Sequence, residues 1–117
     1  EIIKTLKNAR KCGLKIVLCV ASLSEAKKFK SLNPWAMAFE DIELISTGKS
    51  ITKKESKEII EFVKLLKKTK IISLCGAGIS TADDVKTARK LGCKGVLIAS
   101  AIANSKNPEK LLKELSR

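Results

Sequence analysis

The 117-residue sequence contains no histidine, only two prolines and only four aromatic residues, Phe29, Trp35, Phe39 and Phe62. With no histidine to help, a metal would fall to Cys12, Cys19, Cys75 and Cys93, which are scattered rather than set at zinc-ligand spacing. No metal and no cofactor are therefore expected. So few aromatics supply a base-stacking surface poorly, which argues against a nucleic-acid partner. No apolar run approaches the roughly 20 residues that cross a bilayer, and no signal-peptide pattern opens the chain, so no membrane partner is expected. Cys19 and Cys75 lie inside apolar runs, where cysteine behaves as a small hydrophobe, and unpaired scattered thiols point to a reducing, cytoplasmic location.

What is abundant is lysine. Lys plus Arg number 24 against 12 Asp plus Glu, a formal net charge of +12. Most lysines fall opposite the apolar stripe of helical stretches (Lys27, Lys28, Lys30; Lys64, Lys67, Lys68), which reads as a solvated surface that also steers anions inward. Hydrophobic residues make up 44% of the chain, enough for the core of one domain. The chain opens on Glu1 already in a helical pattern, and so reads as a piece of something longer.

Along the chain, helical and strand patterns alternate. Residues 2–12 put Ile2, Ile3, Leu6 and Ala9 on one face, and Gly13 stops the helix. Lys15 to Val20 is a short apolar run, as expected of a parallel strand buried on both faces. A capping box, Ser22 to Glu25, opens a helix to about Leu32, and Asn33-Pro34 breaks it ahead of a second strand, Trp35 to Phe39. Thr52 to Glu55 caps a long amphipathic helix carrying Ile59, Val63 and Leu66, followed by a third strand, Ile71 to Leu74. Ser80 to Asp83 caps the next helix, Gly95 to Ala99 is a fourth strand, and Asn107-Pro108 starts the last helix. Four strands and five helices in this order predict an α/β fold with a parallel sheet and right-handed crossovers. Two architectures fit, a small doubly wound sheet or half of a (β/α)8 barrel, and both gather ligands at the C-terminal ends of the strands.

Three of those strand ends carry chemistry. Glu40 directly follows an apolar strand, where desolvation would raise a carboxylate toward the range of a general base; a salt bridge to one of many lysines is the plainer role. Asp41 to Ile51 is long for a strand-to-helix connection, and its polar tip Ser46-Thr47-Gly48 suits a lid as well as a surface loop. After the third strand comes Gly76-Ala77-Gly78, where glycines let the backbone approach a ligand and the following helix start offers free N–H groups to an anion. Ala99-Ser100-Ala101 adds a second small-residue turn on the neighbouring strand, and the two together make a shared anion cradle.

These segments resemble triose-phosphate isomerase in its short archaeal form, over the second half of a family member. Phe39-Glu-Asp-Ile-Glu-Leu-Ile-Ser-Thr-Gly48 is similar to the family's V-E-P-P-E-L-I-G-T-G, Leu74 to Ser80 to L-C-G-A-G-I-S, and Gly95 to Ala101 to G-V-L-L-A-S-G. The resemblance implies a TIM-barrel C-terminal half, helix 4 through helix 8, spanning residues 1–117. It implies that Glu40 moves the proton between two carbons of a triose phosphate, a step of glycolysis and gluconeogenesis. It places the lid over Asp41, Ile42, Ser46, Thr47 and Gly48, with Ile45 touching substrate. It assigns the phosphate to Gly76, Gly78, Ala99 and Ser100, held through backbone N–H groups. The implied partners are the triose phosphate, an N-terminal half-barrel in the same or a separate chain, and further copies in a homo-oligomer.

The departures from the family are specific. Asp41 and Ile42 replace two lid prolines and so remove fixed φ angles at the hinge. Ser46 replaces a lid glycine and Ala101 a glycine after the last strand. The family's catalytic Lys and His lie in its first four βα units, so the electrophile must come from residues outside this chain. Two other readings stand beside the isomerase half: a non-catalytic phosphate-binding or assembly module, and another phosphate-binding barrel in which Glu40 serves different chemistry. Half a barrel also leaves two open sheet edges and an uncovered inner face, which predicts that the chain alone associates with itself or folds loosely.

Overall fold

The four apolar runs form one parallel sheet with strand order identical to chain order. The structure, a computed structural model, describes residues 1–40 and 56–117. Its elements are α1 (Ile2–Lys11), β1 (Val17–Val20), α2 (Leu23–Phe29) extended by a 3-10 turn (Lys30–Leu32), β2 (Ala36–Phe39), α3 (Ser56–Leu66), β3 (Ile72–Cys75), α4 (Ala82–Lys90), β4 (Gly95–Val96), α5 (Ser100–Ala103) and α6 (Pro108–Leu115). The register runs Val17 to Ala36 to Ile72 across the first three strands, and Leu74 pairs with Gly95 on the fourth. Every neighbouring pair is parallel, as the helical crossovers require.

Side chains alternate between the two faces of a strand, and the two faces of this sheet have different fates. Val20, Met37, Phe39 and Cys75 point to one side and join Ala26, Ile59, Phe62, Val85, Ala88 and Leu115 from the helices in a single buried cluster. The opposite face carries Val17, Cys19, Ala36, Ala38, Ile72 and Leu74, none of which belongs to that cluster. Among the described residues, helices cover one face only, the arrangement of four consecutive βα units of a barrel. This corrects the expectation that β1 is buried on both faces: Val17 is 41% exposed and Cys19 is open, because among the described residues no second layer covers them.

The helix starts follow the capping signals, with two shifts. Ser22 Oγ accepts the Glu25 N–H at 3.2 Å, but the Glu25 carboxylate reaches back to the Ala21 N–H rather than to Ser22. In α4 the box sits one residue later than expected, on Thr81 and Asp84. Asn107 caps α6, with Pro108 in its first turn. The fourth strand is shorter than its apolar run, and the small residues after it turn into a sixth helix, α5, which the sequence did not announce. Trp35 stays outside β2, about half exposed, with the Lys15 ammonium 5.2 Å from its ring centroid. The proposed lid at 41–51, with Asp41, Ile42, Ile45, Ser46, Thr47 and Gly48, and the Thr52 to Glu55 cap lie outside the described residues.

The open face has a measurable consequence. Apolar side chains stay open beside the outer strands, in Val17, Leu14 and Trp35 next to β1 and in a groove of about 550 Å³ between β4, α4 and α6 lined by Val96, Ile98, Ile102 and Leu112. Unpaired parallel edges and bare apolar surface favour association. The purified chain is therefore expected to run as a dimer or larger species in light scattering coupled to gel filtration. A folded monomer with a cooperative unfolding transition would contradict a half-barrel with open edges.

Candidate active site

The C-terminal ends of β2 and β3 bring together residues that lie far apart in the chain. The Glu40 N–H donates to the Val20 carbonyl at 2.9 Å, and the Gly76 N–H donates to the Phe39 carbonyl at 3.1 Å. These bonds extend the ladder by one residue and put Glu40 level with Gly76. By alternation from Ala38, the Glu40 side chain rises on the uncovered face, the same face as Cys19. A Cβ added to Gly76 would lie 2.7 Å from Glu40 Oε1 and 3.2 Å from its Cγ, so the carboxylate rests directly over the glycine Cα.

On the other side of Glu40 stands Cys19, whose S–H donates to the carboxylate. Its thiol is pushed up to about 11, first by desolvation, then by the negative charge of Glu40 and by that hydrogen bond. Cys19 is open at the surface, yet its surroundings screen enough of it from water for desolvation to be the leading cause. A thiol held this high stays protonated at neutral pH, and a protonated thiol can donate to the carboxylate without competing with it for charge.

Beside the carboxylate lies the glycine turn. Gly78 has φ +70, a conformation that L side chains rarely adopt, so glycine is required there by the backbone. The helix start behind it is partly occupied by its own capping box. Asp84, 2% exposed, accepts the N–H groups of Ser80 and Thr81 at 3.1 and 3.0 Å, and Thr81 Oγ accepts the Asp84 N–H. The capping box thus consumes donors that a ligand would otherwise meet. The N–H groups left without an acceptor among the described residues include those of Gly78 and Ser100. Leu97 N–H donates to the Cys75 carbonyl at 2.8 Å, which leads the chain out to Ala99 and Ser100 next to the glycine turn. Ala99 then caps α5 with its carbonyl, to the N–H groups of Ile102 and Ala103.

Of the residues singled out by sequence, Glu40, Gly76, Gly78, Ala99 and Ser100 occupy one end of the sheet. Cys19 was missed as a site residue. Its setting in an apolar run read as core, and only its parity with Ala38, hence with Glu40, could have flagged it. Among the described residues no cluster of three or more metal-ligating side chains occurs, and no helix is long and apolar enough to cross a membrane.

Four parallel strands in chain order, joined by helical crossovers that lie on one face of the sheet among the described residues, define the class as a βα-barrel type of fold. The neighbours in fold agree. The chain superposes on 3-hexulose-6-phosphate synthase from Salmonella typhimurium with a TM-score of 0.74 at 18% identity, covering 98% of this chain and 54% of that one. It superposes on thiamine phosphate pyrophosphorylase from Pyrococcus furiosus with a TM-score of 0.69 at 20% identity, covering 95% and 52%. Within that class the family is narrower: the Triosephosphate isomerase family model matches residues 1–115, and the chain belongs to that family. It is 40% identical over 115 residues to triosephosphate isomerase of Saccharolobus solfataricus, covering 97% of this chain and 51% of that protein. It is 38% identical over 119 residues to the enzyme of Pyrobaculum islandicum, covering 100% and 52%. The chain thus spans about half the length of the curated relatives it matches.

Proposed function

We propose that this chain carries the base and the phosphate grip of a triose-phosphate isomerase whose electrophile is supplied by an N-terminal half-barrel. The observation that supports this most is the position of the Glu40 carboxylate, over Gly76 at the mouth of the glycine turn. A triose phosphate whose phosphate lies against the N–H groups of Gly78 and Ser100 has its carbon chain within reach of that carboxylate. Glu40 takes a proton from the carbon beside the carbonyl and returns it to the neighbouring carbon. This interconverts dihydroxyacetone phosphate and D-glyceraldehyde 3-phosphate. Negative charge then develops on the substrate oxygens and needs positioned donors. With no histidine in the chain, those donors are assigned to the Lys and His of the N-terminal half. Closure of the 41–51 segment would exclude water from the reacting carbons.

The test is complementation. Mixed with an N-terminal half taken from an archaeal relative, the chain is expected to show isomerase activity that neither half shows alone. The readout is a coupled assay for glyceraldehyde 3-phosphate. A stable, folded complex of the two halves with no isomerase activity would contradict the reading.

A further inference from the structure

The two glycines of the turn do different work. Gly78 needs to be glycine for its positive φ, but Gly76 is not among the positive-φ glycines, which are Gly13, Gly78 and Gly92. The backbone at 76 therefore makes no such demand. What a side chain there would meet is Glu40: Oε1 at 2.7 Å, Cγ at 3.2 Å and Cδ at 3.4 Å from an added Cβ. These atoms belong to the flexible end of one side chain, so a methyl group at 76 moves Glu40 rather than the sheet.

We propose that Gly76 is a positioning residue for the base, its missing side chain being the seat on which the Glu40 carboxylate rests, with Cys19 closing the opposite side. The naming of Glu40 as base rests on the proposed function; the seat itself does not. In the sequence reading Gly76 served the phosphate alone. In the structure it has a second role, because the face turned to the sheet's open side holds the carboxylate level with the glycine turn. The seat sets one lateral limit of the carboxylate, and Cys19, on the strand at the other side of Glu40 and on the same face of the sheet, sets the other. Between them the carboxylate keeps one resting position from which it reaches a substrate held at Gly78 and Ser100.

Cys19 reports on that position without any need for catalysis. In Gly76→Ala the carboxylate is pushed off its seat and away from the thiol, which then loses the part of its upward shift that Glu40 causes. Thiolate becomes more abundant while each thiolate becomes less nucleophilic, so alkylation of Cys19 by iodoacetamide near neutral pH rises about threefold to tenfold. Cys12, exposed at the C-terminal end of α1, keeps its wild-type rate and serves as the internal reference. Glu40→Gln, with Gly76 intact, raises Cys19 labelling to the same extent, and adding Gly76→Ala to it brings no further increase. A wild-type Cys19 rate in folded Gly76→Ala overturns the proposal. If Gly76→Ala fails to fold, the buried Cys75 and Cys93 label as fast as Cys12. The pair Gly76→Ala with Glu40→Ala is then expected to fold, since the overlapping side chain is gone, and a pair as unfolded as the single variant overturns the proposal. None of these readouts uses isomerase activity, so an inactive complemented barrel would count against the proposed function and leave the seat intact.

Discussion

Glu40→Gln in the complemented barrel lowers kcat by about 10²- to 10⁴-fold, the range supplied by a positioned general base, with KM changed by no more than a few-fold. Glutamine has the size of the native side chain, so it keeps the place over Gly76 and the backbone bond to Val20. What it lacks is the capacity to accept a proton from carbon. The split between kcat and KM follows, because the phosphate is assigned to Gly78 and Ser100 and the variant leaves both untouched. Glu40→Asp is a second, geometric test. It keeps the charge but draws the carboxylate back by one methylene, off its seat, and a displacement of about 1 Å is enough to cost on the order of 10²-fold in rate. Steady-state kinetics in both directions check the two variants. Turnover indifferent to either one would remove Glu40 from the role of base.

Phe62→Ala is expected to be the most damaging change in the core. Phe62 and Phe39 are both fully buried, with ring centroids 5.4 Å apart and planes tilted by 47°. Removing a buried phenylalanine side chain costs about 3–5 kcal/mol from lost transfer energy and the cavity left behind. The ring pair contributes up to about 1.5 kcal/mol beyond area alone. Whole domains are stable by only about 5–15 kcal/mol, and a sheet covered on one face sits low in that range. The variant is thus expected to be largely unfolded at room temperature, measured by far-ultraviolet circular dichroism and urea titration. Phe62→Leu keeps most of the volume and should retain the fold with a lowered midpoint. Because Phe39 immediately precedes Glu40, loosening this pair also loosens the base. A loss below about 1 kcal/mol in Phe62→Ala would mean that α3 and β2 do not share this core.

Most of the architecture could be read directly. Apolar runs of four to six residues between capped amphipathic stretches led to four parallel strands, because each signal is local and depends on few neighbours. The errors were also local in kind. Thr81 and Asp84 cap α4 where Ser80 and Asp83 were expected, since both pairs have the spacing and only the chain path chooses between them. β4 ended early because Leu97 turns the chain out beside Cys75 toward α5, a path set by the neighbouring strand rather than by its own residues. The burial of β1 was overestimated, because an apolar run records what a strand is built to face. It does not record whether a layer is there to face it.

By itself the sequence determined the order of elements, the strand ends at which chemistry gathers, and, through three motifs, the resemblance to one family. The tertiary structure decided which residues of that site touch. Cys19, Glu40 and Gly76 lie on three different strand ends, and their contact depends on register between strands, which no local pattern encodes. It also decided that part of the start of α4 is taken up by its own cap, because one buried carboxylate, Asp84, turns back onto the N–H groups of Ser80 and Thr81. Side chains two residues apart share a face, and neighbouring strands fix how those faces align. The base, its seat and its thiol neighbour therefore come into being only when the sheet forms.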